Sequence, residues 1–177
     1  MKQEAFEVLL NRRAIRRFKP DPVPEDVLDQ VLRAGTYAPT AMGRQSPVII
    51  AVRDPAMVAR VDALNGSVLG NSSSHPYYGA PVILLILYTD LAANEEIGII
   101  DSAAVCTNLL NAAYAAGLGS CWIHRCKEMF ASAAGKALLR EWGLPETLRG
   151  VASIALGYAD CDQPAPRPRK DGYVVKI

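Results

Sequence analysis

The sequence predicts an α/β or α+β sandwich in which helices flank one mainly buried sheet. Three observations predict it: apolar runs at 47–52 and 81–88, interleaved segments with apolar residues at helical spacing, and a stretch at 101–116 that is apolar nearly all round. At 177 residues, 50% of them hydrophobic, the chain suits one domain spanning 1–177. A chain of this length buries roughly 70% of its unfolded surface without needing disulfides. Nineteen basic and eighteen acidic residues leave a net charge of +1, which gives no reason to expect nucleic acid or an anionic membrane as a partner.

Residues 4–10 place Phe6, Val8, Leu9 and Leu10 on a broad apolar face, so a short helix is expected there. Arg12, Arg13, Arg16 and Arg17 follow, and then Pro20, Pro22 and Pro24 break the chain. Pro24 suits the first position of a second helix, with Glu25 and Asp26 in its first turn and Gly35 as its end. Residues 37–45 are rich in turn formers and lack a period, hence a loop. Residues 47–52 read as a buried strand, 55–64 as a helix and 81–88 as a fully apolar strand. Asp101 reads as the N-cap of the 101–116 helix, whose apolar surround places it at the centre of the fold or in an interface. Inside it, Asn108 and Asn111 read as hydrogen-bonded core or interface groups. A short strand at 120–123, a helix over about 130–142 and a strand at 150–158 complete the pattern. After Asp160 the chain is extended and closes on a strand-like 173–177. The pattern alone leaves the strand order open.

The start of the chain lacks the basic residues and apolar stretch of a secretory signal. No apolar run approaches the ~20 residues that cross a bilayer. Cys106, Cys121, Cys126 and Cys161 show no CxxC spacing, which favours free thiols in a reducing cytosol over a zinc site and makes a cytoplasmic location the expectation.

Four guanidinium groups within six positions repel one another unless an anion or carboxylates lie between them. If helical geometry continues through Arg16, Arg12 and Arg16 share a face one turn apart. The cluster is then either a phosphate clamp or a solvated basic face paired with Glu4, Glu7 and Asp21. Residues 39–45 offer hydroxyl, amide and backbone N–H groups that can orient a polar ring, or they simply join a helix to a strand. The glycines at 117 and 119 either admit a ligand close to the backbone or serve a helix C-cap. Arg167, Arg169 and Lys170 lie in a proline-stiffened tail that is either solvated or converges on the same phosphate as the first cluster. There is no GxxxxGK[ST], no GxGxxG and no GxSxG. His75 and His124 are the only histidines, a poor basis for a metal site, and His124 near Cys121 and Cys126 is not by that fact a dyad. An enzyme without an acid–base or nucleophilic constellation points to a cofactor that does the chemistry itself.

RRAIRRF, APTAMGRQ, YYGAPVILLIL, DSAAVCTNLLNAAYAAGLGSCWI, GVASIALGYAD and PRPRK occur in this order along nearly the whole chain, and in this the sequence resembles the nitroreductase family of FMN-dependent oxidoreductases. The resemblance implies a nitroreductase-like fold with a central, mainly antiparallel sheet. It also implies a homodimer that exchanges its C-terminal tails from Gly172 and holds two FMN molecules at the interface. By likeness of motif, Arg12, Arg13, Ala14 and Arg16 would lie at the flavin phosphate, ribityl chain and pyrimidine end. Pro39, Thr40, Ala41 and Gly43 would come from the partner's loop. Trp122, Ile123 and His124 would run beside the isoalloxazine, with the His124 backbone N–H facing N5. Arg167 and Arg169 would close on the phosphate, and Asn65 would touch the pyrimidine edge.

Family members often have serine at the position of Ala14, asparagine at that of Gly43 and glycine or an acidic residue at that of His124, and larger members carry helical excursions that this chain lacks. The implied reaction takes a hydride from NADH or NADPH to flavin N5 and passes electrons to a small electron-poor acceptor, a nitroaromatic or quinone, in ping-pong fashion, with no catalytic side chain; Arg16 would stabilise negative charge near N1. Two further readings are a specialised flavin-binding relative (ring reduction, dehalogenation or flavin fragmentation) and a non-catalytic anion- or nucleotide-binding module.

Overall fold

Two interior strands, largely buried, organise the structure, a computed structural model that describes residues 2–71 and 73–177, with side chains from residue 4 onward. The elements are α1 (Lys2–Asn11), α2 (Glu25–Thr36), β1 (Pro47–Val52), α3 (Pro55–Val68), β2 (Val82–Tyr88), α4 (Glu95–Ala115), β3 (Gly119–Ile123), α5 (Cys126–Ala131), α6 (Ala133–Glu141) and β4 (Arg149–Gly157). The four strands form one antiparallel sheet in the order β1-β2-β4-β3. The α+β sandwich and the mainly antiparallel sheet are therefore as expected.

Alternation along β2 explains the layers. Ile83, Leu85 and Leu87 pack with Val61, Met129, Phe130 and Leu139 from α3, α5 and α6. Val82, Leu84 and Ile86 pack with Leu28, Val31, Val105 and Leu109 from α2 and α4. Every residue of β2 is buried, because a strand covered on both faces must be apolar at every position.

Several boundaries differ from expectation for identifiable reasons. β1 is an edge strand and is half-buried except at Val52. Gly35 does not end α2: it lies inside the helix, buried, where a Cβ would stand 2.6 Å from Leu109 Cδ2. α3 runs four residues past Leu64. α4 starts six residues before Asp101, with Asn94 Oδ1 accepting from the Ile97 N–H at 2.9 Å as the N-cap. The single helix expected over about 130–142 is two helices, broken at Ser132, whose hydroxyl caps α6 by accepting from the Gly135 N–H. The strand-like end at 173–177 forms no strand, and Tyr173, Val174, Val175 and Ile177 are exposed. No helix among the described residues is long and apolar enough to cross a membrane.

α5 lies directly on β4, and a Cβ at Gly150 would sit 2.1 Å from the carbonyl oxygen of Cys126. Gly150→Ala should therefore destabilise the fold by about 2 kcal/mol and lower the thermal midpoint by about 6 °C, measured by calorimetry, whereas an unchanged midpoint would contradict this packing.

Candidate functional site

The arginine segment is not helical. α1 ends at Asn11, and the chain then runs beside β3, with a parallel bridge between Ala14 and Ser120 and a 2.9 Å hydrogen bond from Ile15 N–H to the Ser120 carbonyl. Ile15 and Phe18 anchor this strip in the core, leaving Arg16 exposed and Arg12 half-buried. The common helical face expected for Arg12 and Arg16 is thus absent, yet both reach the same neighbour. Burial pushes the Cys121 thiol up, and Arg16 followed by Arg12 pulls it back. Arg13 is turned differently: its Nη1 donates to the carbonyls of Leu10 and Arg12 at 2.8 and 2.9 Å, closing the end of α1. Arg17 lies outside the group, its Nε paired with the Asp160 carboxylate at 3.5 Å.

A cavity of about 220 Å³ opens between Arg12, Arg13, Tyr114, Ser120 and Gln163. No acidic side chain lines it. Two side-chain atoms of its wall, Arg13 Nε and Ser120 Oγ, are buried without a hydrogen-bond partner, as is Trp122 Nε1 two residues along β3. Such groups are costly to leave unsatisfied and mark where a polar ligand compensates them. Gln163 Nε2 donates to the Asn11 carbonyl, which leads the tail past this cavity. Arg167 and Arg169, further along the tail, are exposed and do not line it.

At the end of β3, Trp122 is half-buried, Ile123 buried and His124 exposed, with the Trp122 and His124 rings 6.2 Å apart. They border a second cavity of about 340 Å³ together with Tyr78 and Arg125. Asn65 was expected at a ligand edge, but it is wholly buried. Its Nδ2 donates to Tyr77 Oη and the His124 carbonyl, each at 3.1 Å, and its Oδ1 accepts from Arg125 Nε at 2.8 Å. Its amide is spent on positioning the end of β3.

The 39–45 loop contains a 3-10 turn at Ala41–Gly43, with Pro39, Met42 and Gly43 exposed and Thr40 and Ala41 half-buried. Thr40 Oγ1 accepts from the Gln45 N–H at 3.1 Å. Asp101, not a helix cap, ties the loop down: buried in α4, its carboxylate accepts from the Ala41 N–H at 3.0 Å and lies 3.5 Å from the Ser46 hydroxyl. A charged residue inside an otherwise apolar helix was the available signal for this role. Thr40 borders a cavity with Leu32, Ile49 and Val105, separate from the arginine cavity. β1, which follows the loop, and β3, which carries the arginine strip, are opposite edges of the sheet.

Thiol chemistry finds no support. Burial pushes Cys106 and Cys126 up to about 12, so neither is an activated nucleophile. His124 makes no hydrogen bond to a cysteine among the described residues, and these contain no group of three or more metal-ligating side chains.

A nitroreductase with bound FMN from Bacteroides fragilis has the same fold, with a TM-score of 0.88 at 24% identity over 98% of each chain. An NADH dehydrogenase of Thermus thermophilus is 41% identical over 88 residues, which are 50% of this chain and 40% of that protein. An NADPH-dependent oxidoreductase of Staphylococcus epidermidis is 25% identical over 183 residues, covering 96% of this chain and 70% of that protein. The sequence profile of the Nitroreductase family matches residues 9–72 and 68–158, a span that takes in the arginine strip, the 39–45 loop and β3, and the chain belongs to that family.

Proposed function

We propose that the chain is an FMN-dependent NAD(P)H oxidoreductase acting as a homodimer, with each flavin held between the arginine strip of one chain and the 39–45 loop of the other. The observation that carries this is the arginine cavity: it is rich in donors, lacks carboxylates, and has buried donors left unsatisfied. That donor set fits a phosphate and a polyhydroxyl chain. Arg12 and Arg16 would hold the anionic end and the ring edge, Arg13 and Ala14 would lie along the ribityl chain, and Arg167 and Arg169 would be brought in by the tail. Trp122, Ile123 and the backbone of His124 would form the wall beside the ring.

The geometry of α4 supports the dimer. Asp101, which holds the loop, and Tyr114, which lines the arginine cavity, are thirteen residues apart on this helix, about 20 Å. One chain therefore presents the two halves of the site at separate places, and a two-fold axis across α4 would bring the loop of each chain to the arginines of the other. Exposed Ile99 and Ile100 on α4, with Phe6, Leu9 and Leu10 on α1, supply apolar surface for that contact.

When bound, FMN supplies hydride and electron transfer between NAD(P)H and an electron-poor acceptor such as a nitroaromatic or quinone. The chain binds and orients the ring, and Arg16 places positive charge where negative charge develops. Donor and acceptor sharing the cavity at the end of β3 would have to take turns. Initial-rate plots at several acceptor concentrations should accordingly give parallel lines, and converging lines would refute alternation.

The purified protein should be yellow and release FMN on extraction, and a protein that stays colourless with added FMN would sink the proposal. Arg12→Ala and Arg16→Ala should each weaken FMN affinity about tenfold to a hundredfold, the worth of a charge-assisted contact, with little change in apoprotein melting. A collapsed melting temperature with unchanged flavin affinity would instead mark these arginines as structural.

A further inference from the structure

We infer that the cavity at the end of β3 selects acceptors bearing an anionic group, with the free edge of the Arg125 guanidinium as the contact that reads it. The inference rests on the proposed function and names the substrate class of that same site.

Among the described residues only Met42, Gln45, Tyr78 and Arg125 are non-glycine residues with positive φ. Two of these belong to the loop, and the other two, Tyr78 at 57° and Arg125 at 76°, line this cavity. A left-handed conformation costs free energy for any residue with a Cβ, and such strain concentrates at functional sites. Arg125 is also held in a defined pose. Its Nε donates to Asn65 Oδ1 at 2.8 Å, and Asn65 is itself fixed by Tyr77 and the His124 carbonyl. Both Nη groups remain without a hydrogen bond or ion pair to any described residue. The guanidinium is therefore pre-oriented with two donors to spare.

The surroundings leave that charge uncompensated. None of the residues lining the cavity is acidic. Asp62 lies nearby but is already committed, its Oδ2 to His75 Nδ1 at 2.8 Å and its Oδ1 to the Tyr77 N–H at 3.1 Å. Tyr78 and Trp122 add aromatic surface. At about 340 Å³ the cavity is at the small end of ligand pockets. A cation at the rim of a small aromatic-lined pocket fits an aromatic carboxylate or sulfonate better than a neutral ring.

Isothermal titration calorimetry on the FMN-loaded protein, with benzoate and benzamide as non-reducible probes that differ in charge, tests this. Benzoate should bind about tenfold more tightly than benzamide, as expected for one charge-assisted contact, and added salt should weaken benzoate alone. Arg125→Gly, which suits the backbone, should abolish the preference, and Arg125→Lys should keep part of it. Equal affinities in the wild-type protein, or an undiminished preference in Arg125→Gly, overturn the inference. If Arg125→Gly does not fold, benzoate binding to the wild-type protein that ignores salt overturns it instead. An absorption spectrum beforehand separates the two levels: failure to take up FMN overturns the proposed function and this inference with it, whereas a flavin-loaded protein without anion preference overturns this inference alone.

Discussion

Asn65, wholly buried in α3, accepts from Arg125 and donates to Tyr77 and the His124 carbonyl, and these three bonds hold α3, the segment before β2 and the end of β3 in one geometry. The network continues inward. Tyr77 Oη meets Ser153 Oγ at 2.8 Å, and Ser153 reaches the Ile123 carbonyl at 3.3 Å, so β4 is included. Burial holds the Tyr77 phenol far above its ordinary pKa, which keeps it a neutral hydrogen-bonding group. A buried polar network of this kind is stabilising only when every member is satisfied. Removing the Asn65 amide would leave Tyr77 and Arg125 short of partners together, and the 122–125 segment of the proposed site would lose its support.

A second constraint is topological. With the strand order β1-β2-β4-β3, the loop before β1 and the arginines beside β3 are at opposite edges of one sheet. α4 spans both, holding the loop through Asp101 and lining the arginine cavity through Tyr114. The same helix that buries Leu109 and Cys106 against the sheet therefore also sets how far apart the two halves of the proposed site stand. In the proposed site the substrate side lies at the end of β3, where a strained arginine is locked by a buried amide.

Much of this was legible in the residues, and the exceptions have physical causes. The sandwich could be read because β2 is apolar at every position and α4 nearly all round, which only a doubly covered strand and a buried helix require. The arginines could be singled out because like charges so close call for an anion or carboxylates between them. Their geometry could not, since the end of α1 at Asn11 depends on docking against Ser120, a contact more than a hundred residues away. Asp101 read as a cap because local sequence favours that role, while its true partners, Ala41 and Ser46, are fixed by tertiary packing. Asn65 and Arg125 carried no local signal at all: the amide gains its role from partners in two other chain segments, and the left-handed turn at Arg125 is a cost that only the folded surroundings impose.

The central claim, that two chains share each flavin site, is tested most directly by subunit complementation. A chain carrying Arg12→Ala and Arg16→Ala lacks one half of the site, and a chain carrying Ala41→Trp in the loop blocks the other. Each alone should retain little FMN. Refolded together, they should regain up to one tightly bound FMN per mixed dimer, because one of its two sites combines an intact arginine strip with an intact loop. No recovery of bound FMN on mixing, with mixed dimers present, would contradict a shared site.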